Sequence, residues 1–186
     1  MESPLHDPGG NTMTLTLIGL TGHARSGKST AAEILAKYGG TVTHIADPIR
    51  RIAYASMPSI RRVVDAYGWD QAKRISPEVR PTLQALGDAL RDEFGEDMFI
   101  DRAVTQARLN HVVVADVRLD HEVEELLSIG RITRIIEITR TGTTPANGHH
   151  LERGIDRDLI DLTIANDGTI EELEAALVTA LGLEQA

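Results

Sequence analysis

The segment Gly22-His23-Ala24-Arg25-Ser26-Gly27-Lys28-Ser29 completes the pattern G-x-x-x-x-G-K-[ST], and its setting constrains what the chain around it can fold into. Upstream, Leu15-Thr16-Leu17-Ile18-Gly19-Leu20 is an apolar, β-prone run that reads as a buried strand. Downstream, Thr30 to Tyr38 is rich in helix formers and closes on Gly39-Gly40. Strand, glycine loop and helix in that order make a phosphate cradle. Gly22 and Gly27 let the chain turn its N–H groups inward, and the helix N-terminus adds its partial positive charge. Lys28 then reaches the β- and γ-phosphates of a nucleotide, and the Ser29 hydroxyl takes a position on Mg²⁺.

Four more apolar runs read as strands: 41–46, 111–116, 132–139 and 159–165. The run at 111–116 is β-branched and almost wholly apolar, as for a strand covered on both faces. That at 132–139 alternates more, which predicts a place nearer an edge. Helical patterns occupy 48–56, 59–74, 79–94, 97–109, 119–129 and 169–182, the last behind Thr169 as N-cap. Alternating strands and helices predict an α/β fold, a five-stranded parallel sheet with helices on both faces. Residues 1–13 read as a flexible tail without a secretory signal, Met13 being an alternative start, and 14–186 as a single domain. Within it, 47–109 forms a helical insertion and the Gly-, Thr- and His-rich 140–158 a lid-like loop. A helical region beside a phosphate loop, with a mobile loop to close over it, is the layout of a small kinase.

Composition narrows the partners. A formal charge of −9 and 3% aromatics argue against a nucleic-acid polymer as ligand. No run reaches the ~18 apolar residues of a membrane span, and no cysteine is present for a disulfide or thiolate site. A cytoplasmic protein, monomer or homodimer, is the expectation. Only three of the 19 basic residues are lysines. Arginine's planar fork suits phosphate, although a high arginine share also follows from genomic base composition.

Several polar residues fall at expected strand ends. Asp116 closes the most hydrophobic strand, where an aspartate holds Mg²⁺ directly or through water; the alternative is an N-cap for the helix from 119. Val117 follows it where many ATPases carry a water-activating glutamate, which weighs against a dedicated hydrolase. Arg118 reaches a transferring phosphoryl group or pairs with Glu122 at i,i+4. Asp47 orients an acceptor or caps the Pro48 helix, the capping role being expected in any case. Arg80, Gln84 and Arg91 share one helical face, which makes a phosphate clamp with a base-reading amide or, as spacing alone favours, a solvated face. His149, His150 and Glu152 match no standard zinc spacing. Arg140, Arg153 and Arg157 bracket the 140–158 loop, where arginines neutralise charge developing between phosphates.

Taken in order, these residues resemble the phage-type deoxynucleoside monophosphate kinases. The resemblance runs from Leu17 to Thr30, then Ala46-Asp47-Pro48-Ile49-Arg50, Leu83-Gln84-Ala85-Leu86-Gly87 with Arg91 and Gly95, Val114-Ala115-Asp116-Val117-Arg118 with Glu122, and Ile164 to Leu173. It implies a P-loop kinase three-layer sandwich that moves the ATP γ-phosphate to a deoxynucleoside 5′-monophosphate. ATP is then held by Gly22, Arg25, Ser26, Gly27, Lys28, Ser29 and Thr30 with Asn166, and Mg²⁺ by Ser29 and Asp116. The small-molecule acceptor falls to Asp47, Arg50, Arg80, Gln84, Arg91, Asp116, Arg118 and Glu122, and the transfer itself to Lys28, Asp47, Arg118 and Arg140. Two departures stand out: Glu96-Asp97-Met98-Phe99 where the family often has an aromatic directly after the glycine, and Ser29 where it often has aspartate. Dephospho-coenzyme A kinases share the loop, the aspartate after the second strand and the Asn-Asp-Gly turn, and are the second reading; an ATP-binding regulatory or hydrolytic module is the third.

Overall fold

The computed structural model describes residues 17–101, 105, 111–129, 133–144 and 154–183. Five strands, β1 (Leu17–Thr21), β2 (Thr41–Thr43), β3 (Val112–Val114), β4 (Thr133–Thr139) and β5 (Leu162–Ala165), form one sheet in the order β2-β3-β1-β4-β5. Every pairing is parallel, with Ile18 opposite Val113 on one side and Arg134 on the other. The helices are α1 (Lys28–Lys37), α2 (Asp47–Ser56), α3 (Pro58–Ile75), α4 (Val79–Phe94), α5 (Asp120–Ser128) and α6 (Ile170–Leu181), with short 3₁₀ turns at Glu96–Met98 and Arg157–Leu159.

Strand periodicity assigns each side chain to a layer. Ile18, Leu20, Val113, Ile136 and Ile138 face α1 and α6, where Ile34, Leu35, Leu173 and Leu177 meet them. Leu17, Val112, Val114 and Ile135 face the other way, onto Val123 and Leu126 of α5 and onto Phe99 and Ile100. Gly19 lies on that second face, and a Cβ there would press on Ile135, so the central strand stays thin where α5 comes closest. A smaller cluster, Ala53, Ile60, Ala72 and Val79, ties α2, α3 and α4 together as a separate helical layer.

The structure corrects the sequence expectations in several places: β3 ends at Val114, so Asp116 falls in the turn after it, and β5 begins only at Leu162. β4 is no nearer an edge than β3: each lies second from a border, β4 between β1 and β5, while β2 and β5 are the borders. β2 stops at Thr43, because the next N–H groups, those of Ile45 and Ala46, turn to the Asp116 carboxylate instead of a ladder. The helix expected over 59–74 breaks at Gly68 (φ 72°, ψ 165°), which re-aims the turn carrying Lys73. The helix expected over 97–109 begins as the 3₁₀ turn; residues 100, 101 and 105 are helical, and the rest lies outside the described residues.

Ile135 is fully buried between sheet and α5, so Ile135→Ala should cost about 2–5 kcal/mol of unfolding free energy through lost burial and a residual cavity. Urea denaturation checks this; a loss under ~1 kcal/mol would mean that α5 closes over the gap.

Candidate active site

The phosphate loop occupies the β1–α1 turn. Gly22, Arg25 and Gly27 hold φ values of 129°, 69° and 105°. A Cβ on Gly22 would strike the Ile138 carbonyl, and one on Gly27 would strike the Asn166 side chain, so both positions require glycine. α1 starts with no side-chain cap and no acidic residue in its first turn. Its N-terminal N–H groups and positive dipole end are therefore left for an anion. Lys28 Nζ donates to the carbonyls of Gly22 (2.6 Å) and His23 (2.8 Å), bending the ammonium back over the loop.

Two of the expected donor residues do another job. Ser26 is fully buried under the loop, and its carbonyl accepts a 2.8 Å hydrogen bond from Asn166 Nδ2. Asn166 is itself buried at the end of β5, so it braces the loop across the sheet instead of presenting an amide to solvent. Next to it, Asp167 accepts from both the N–H and the hydroxyl of Thr141, at 2.6 and 3.0 Å. Those bonds hold its carboxyl below the usual carboxylate range and fix the start of the segment 141–144.

Two cavities meet beside this loop. The loop cavity is walled by Arg25, Gly27, Lys28, Ser29 and Thr30 on one side and by Gly142, Thr143 and Thr144 on another. The α4 cavity is walled by Ile45, Ile49, Leu83, Gln84, Arg91 and Glu122, an apolar slot with a few polar groups. Arg50, Lys73, Arg80, Asp116 and Arg118 line both, so four cations and one carboxylate stand at the junction. A third hollow lies against Gly22, His23 and Lys28, with Glu137 and Arg157 in its wall.

The solvated face that spacing favoured for Arg80, Gln84 and Arg91 is not what the fold makes. All three line the α4 cavity, and Arg91 is buried. Arg91 lies over the Phe99 ring at 5.0 Å, with Asp88 Oδ1 3.8 Å from its Nη1. Phe99, four residues after Gly95, thus stands beneath this guanidinium. Gly87 leaves room for it: a Cβ there would lie 3.0 Å from Ile49 and 3.4 Å from Arg91 Nη1.

The β3–α5 segment is knit by buried carboxylates. Asp116 does not cap the following helix. Its Oδ1 accepts from the Ile45 N–H at 2.7 Å and its Oδ2 from the Ala46 N–H at 3.2 Å, with His44 Nδ1 4.0 Å away. Glu122 Oε2 accepts from the backbone N–H groups of Arg118 (2.8 Å) and Leu119 (3.1 Å), so it holds the Arg118 backbone and closes the α5 N-terminus. Burial pushes the Glu122 carboxyl up, and these hydrogen bonds oppose the shift only in part.

Asp47 is the first residue of α2 and makes no cap; its Oδ1 accepts from Arg50 Nη1 at 3.3 Å, and it lines none of the three cavities. Ala46 holds the cap position because the chain enters the helix directly from the turn pinned by Asp116. Arg140 is exposed after β4 and lines none of them either, its backbone carbonyl serving Thr143. Of the arginines expected around the lid-like loop, Arg157 is the one that reaches a cavity wall, and Arg153 lies outside the described residues, as do His149, His150 and Glu152. Lys73 was not singled out by sequence. Its rarity among 16 arginines was the available signal. Burial, with Arg50, Arg118 and Arg80 close by and only Asp70 opposing, pushes its ammonium down to about 8.

Asp116→Asn would turn one acceptor toward two backbone donors and strand an N–H, at a cost of about 1–3 kcal/mol. The expected result is a lowered urea midpoint at unchanged m-value; full stability would show that the turn finds other partners.

Sheet order, glycine loop and uncapped helix define a P-loop α/β protein with a second cavity against its helical insertion. A profile of deoxynucleotide monophosphate kinases matches residues 76–177, and the chain belongs to that family. Over 116 residues it is 38% identical to the deoxynucleotide monophosphate kinase of Escherichia phage RB69, a match that takes in 62% of this chain and 41% of that protein. The chain thus spans about two-fifths of the length of this relative. Among solved structures, dephospho-CoA kinase from Campylobacter jejuni superposes with a TM-score of 0.45 at 11% identity, over 90% of this chain and 96% of that one. A sugar kinase from a Janibacter species gives 0.43 at 15% identity, over 91% and 95%. The family match takes in α4, the β3–α5 segment and β5 but not the phosphate loop, so loop and family are independent observations.

Proposed function

We propose that the chain transfers the γ-phosphoryl group of ATP to a deoxynucleoside 5′-monophosphate. The observation that carries this reading is the pair of joined cavities: one built on a phosphate loop, the other an apolar slot with Gln84 and Arg91, and a cationic junction between them. The loop amides and the start of α1 hold the donor phosphates, and Lys28 swings from the loop carbonyls to their charge. The base of the acceptor enters between Ile49, Leu83 and Gly87, where Gln84 and Arg91 read its edge. Arg80 and Arg118 fix its phosphate in line with the donor, so that much of the barrier is met by positioning and charge. The segments on either side of 145–153 carry Thr143, Thr144 and Arg157 and act as a lid. The enzyme works in the cytoplasm as a monomer or homodimer.

The donor set fits magnesium. Ser29 is exposed and lines the loop cavity, and the Asp116 oxygens keep lone pairs beyond those used by the backbone. Bound there, Mg²⁺ would neutralise donor charge, with Ser29 a direct ligand and Asp116 acting through water.

A coupled assay of ADP release against dNMPs, NMPs and dephospho-CoA tests the reading. At least one dNMP should raise the rate well above the acceptor-free rate. Lys28→Ala should then lower kcat by about 10²–10³-fold at unchanged circular dichroism. Arg91→Ala should raise KM for the dNMP at least tenfold and that for ATP under twofold. ADP release indifferent to every dNMP would overturn the assignment, and turnover with dephospho-CoA alone would replace it.

A further inference from the structure

Lys73 is the one lysine at the junction, and the only junction cation that can shed its proton near neutral pH. It projects from the last turns of α3, beyond the Gly68 break, and its side chain is 21% exposed. Its ion pair is long: Asp70 Oδ1 lies 3.8 Å away, on a side chain 82% exposed. Guanidinium groups face it from every neighbouring element, Arg50 from α2, Arg80 from α4 and Arg118 from the β3–α5 segment. Arg74 of its own helix, His44 after β2 and Asp116 after β3 complete the charged lining on the loop side. Four cations thus line the passage shared by the two cavities, a setting that suits a multiply charged anion.

Resting on the kinase reading, we propose that Lys73 binds the 5′-phosphate of the acceptor at the junction and takes up a proton from solvent as that phosphate arrives. The arginines that set its charge state line both cavities, and since the donor phosphates already have the loop amides and Lys28, the acceptor phosphate is the anion left for Lys73. In the free protein the ammonium titrates at about 8. A dianion beside it favours the charged form and raises that value in the complex. Below pH 8 the amine is protonated in both states, and binding moves no proton. Above it the free amine is neutral, each binding event takes one proton, and affinity falls as pH rises until the pKa of the complex is passed. An arginine here would bind phosphate without this dependence.

Isothermal titration of a dNMP that supports turnover, in buffers of different ionisation enthalpy, counts the protons. Wild-type protein should take up close to none at pH 7 and about 0.9 per site at pH 9, with Kd weakening about tenfold across that range. Lys73→Arg should bind within about threefold of wild type at pH 7 and show neither uptake nor the added pH dependence; both proteins share any titration of the base, of His44 and of Glu122. Lys73→Met should raise the KM for the dNMP at least tenfold and leave that for ATP within twofold. Wild-type binding without proton uptake at pH 9 overturns the proposal whether or not the variants fold. So does a Lys73→Arg protein that keeps the wild-type step, or a Lys73→Met effect confined to ATP. Absence of any dNMP-stimulated ADP release removes the kinase reading and this proposal with it, whereas turnover with proton-silent binding removes this proposal alone.

Discussion

The carboxylate of Asp116, buried and shared between the N–H groups of Ile45 and Ala46, decides how the second half of the sheet edge is built. With it, β2 ends at Thr43, the next residues turn, and α2 starts at a fixed place on the sheet's carboxyl edge. From that start hang α2, α3 and α4, packed on one another through Ala53, Ile60, Ala72 and Val79. One buried anion, stabilised by two backbone donors, thereby sets the distance between the phosphate loop and the helical layer that faces it.

Charge is distributed against the average of the molecule. A chain with a formal charge of −9 gathers Arg50, Lys73, Arg80, Arg91 and Arg118 around one cavity. Among the described ion pairs, Asp47 lies 3.3 Å from Arg50, and Asp70 and Asp88 lie 3.8 Å from Lys73 and Arg91. At physiological salt the acidic surface is screened beyond about 8 Å, so an incoming anion feels the local cations and not the overall sign. The buried Glu122 accepts from the backbone N–H groups of Arg118 and Leu119, with the Arg91 charge favouring its ionised form.

The sheet, its parallel sense and the loop were legible because each is a short-range pattern: apolar runs at strand length, glycines at fixed spacing, a helix that begins without an acidic residue. Partition of side chains between the two faces of β1, β3 and β4 follows from alternation alone. Roles that depend on distant pairings were not legible. Asn166 looked like a nucleotide contact, yet its amide is used on a carbonyl 140 residues away. Asp47 looked like a cap, but a carboxylate from the turn after β3 had already placed the helix start. The α4 face was ambiguous because spacing says which side chains share a face and not what that face meets. Phe99 beneath Arg91 and Lys73 at the junction come from the packing of separate elements, the latter only after a glycine break that redirects its helix.

The two halves of the proposed site are therefore made from different materials. The donor half is mostly backbone: N–H groups, two obligatory glycines and a helix dipole, braced from below by a single amide. Such a surface recognises any polyphosphate of the right length and is insensitive to most side-chain changes outside Gly22, Gly27 and Lys28. The acceptor half is mostly side chain, carried by α2, α3 and α4 together with the β3–α5 segment and the start of α5. There a substitution at Gly87, Gln84 or Phe99 alters the slot or the guanidinium lying in it without disturbing the loop. In the proposed reading, selectivity among bases falls to side chains outside the phosphate loop, and phosphate chemistry to the loop backbone that tolerates change least.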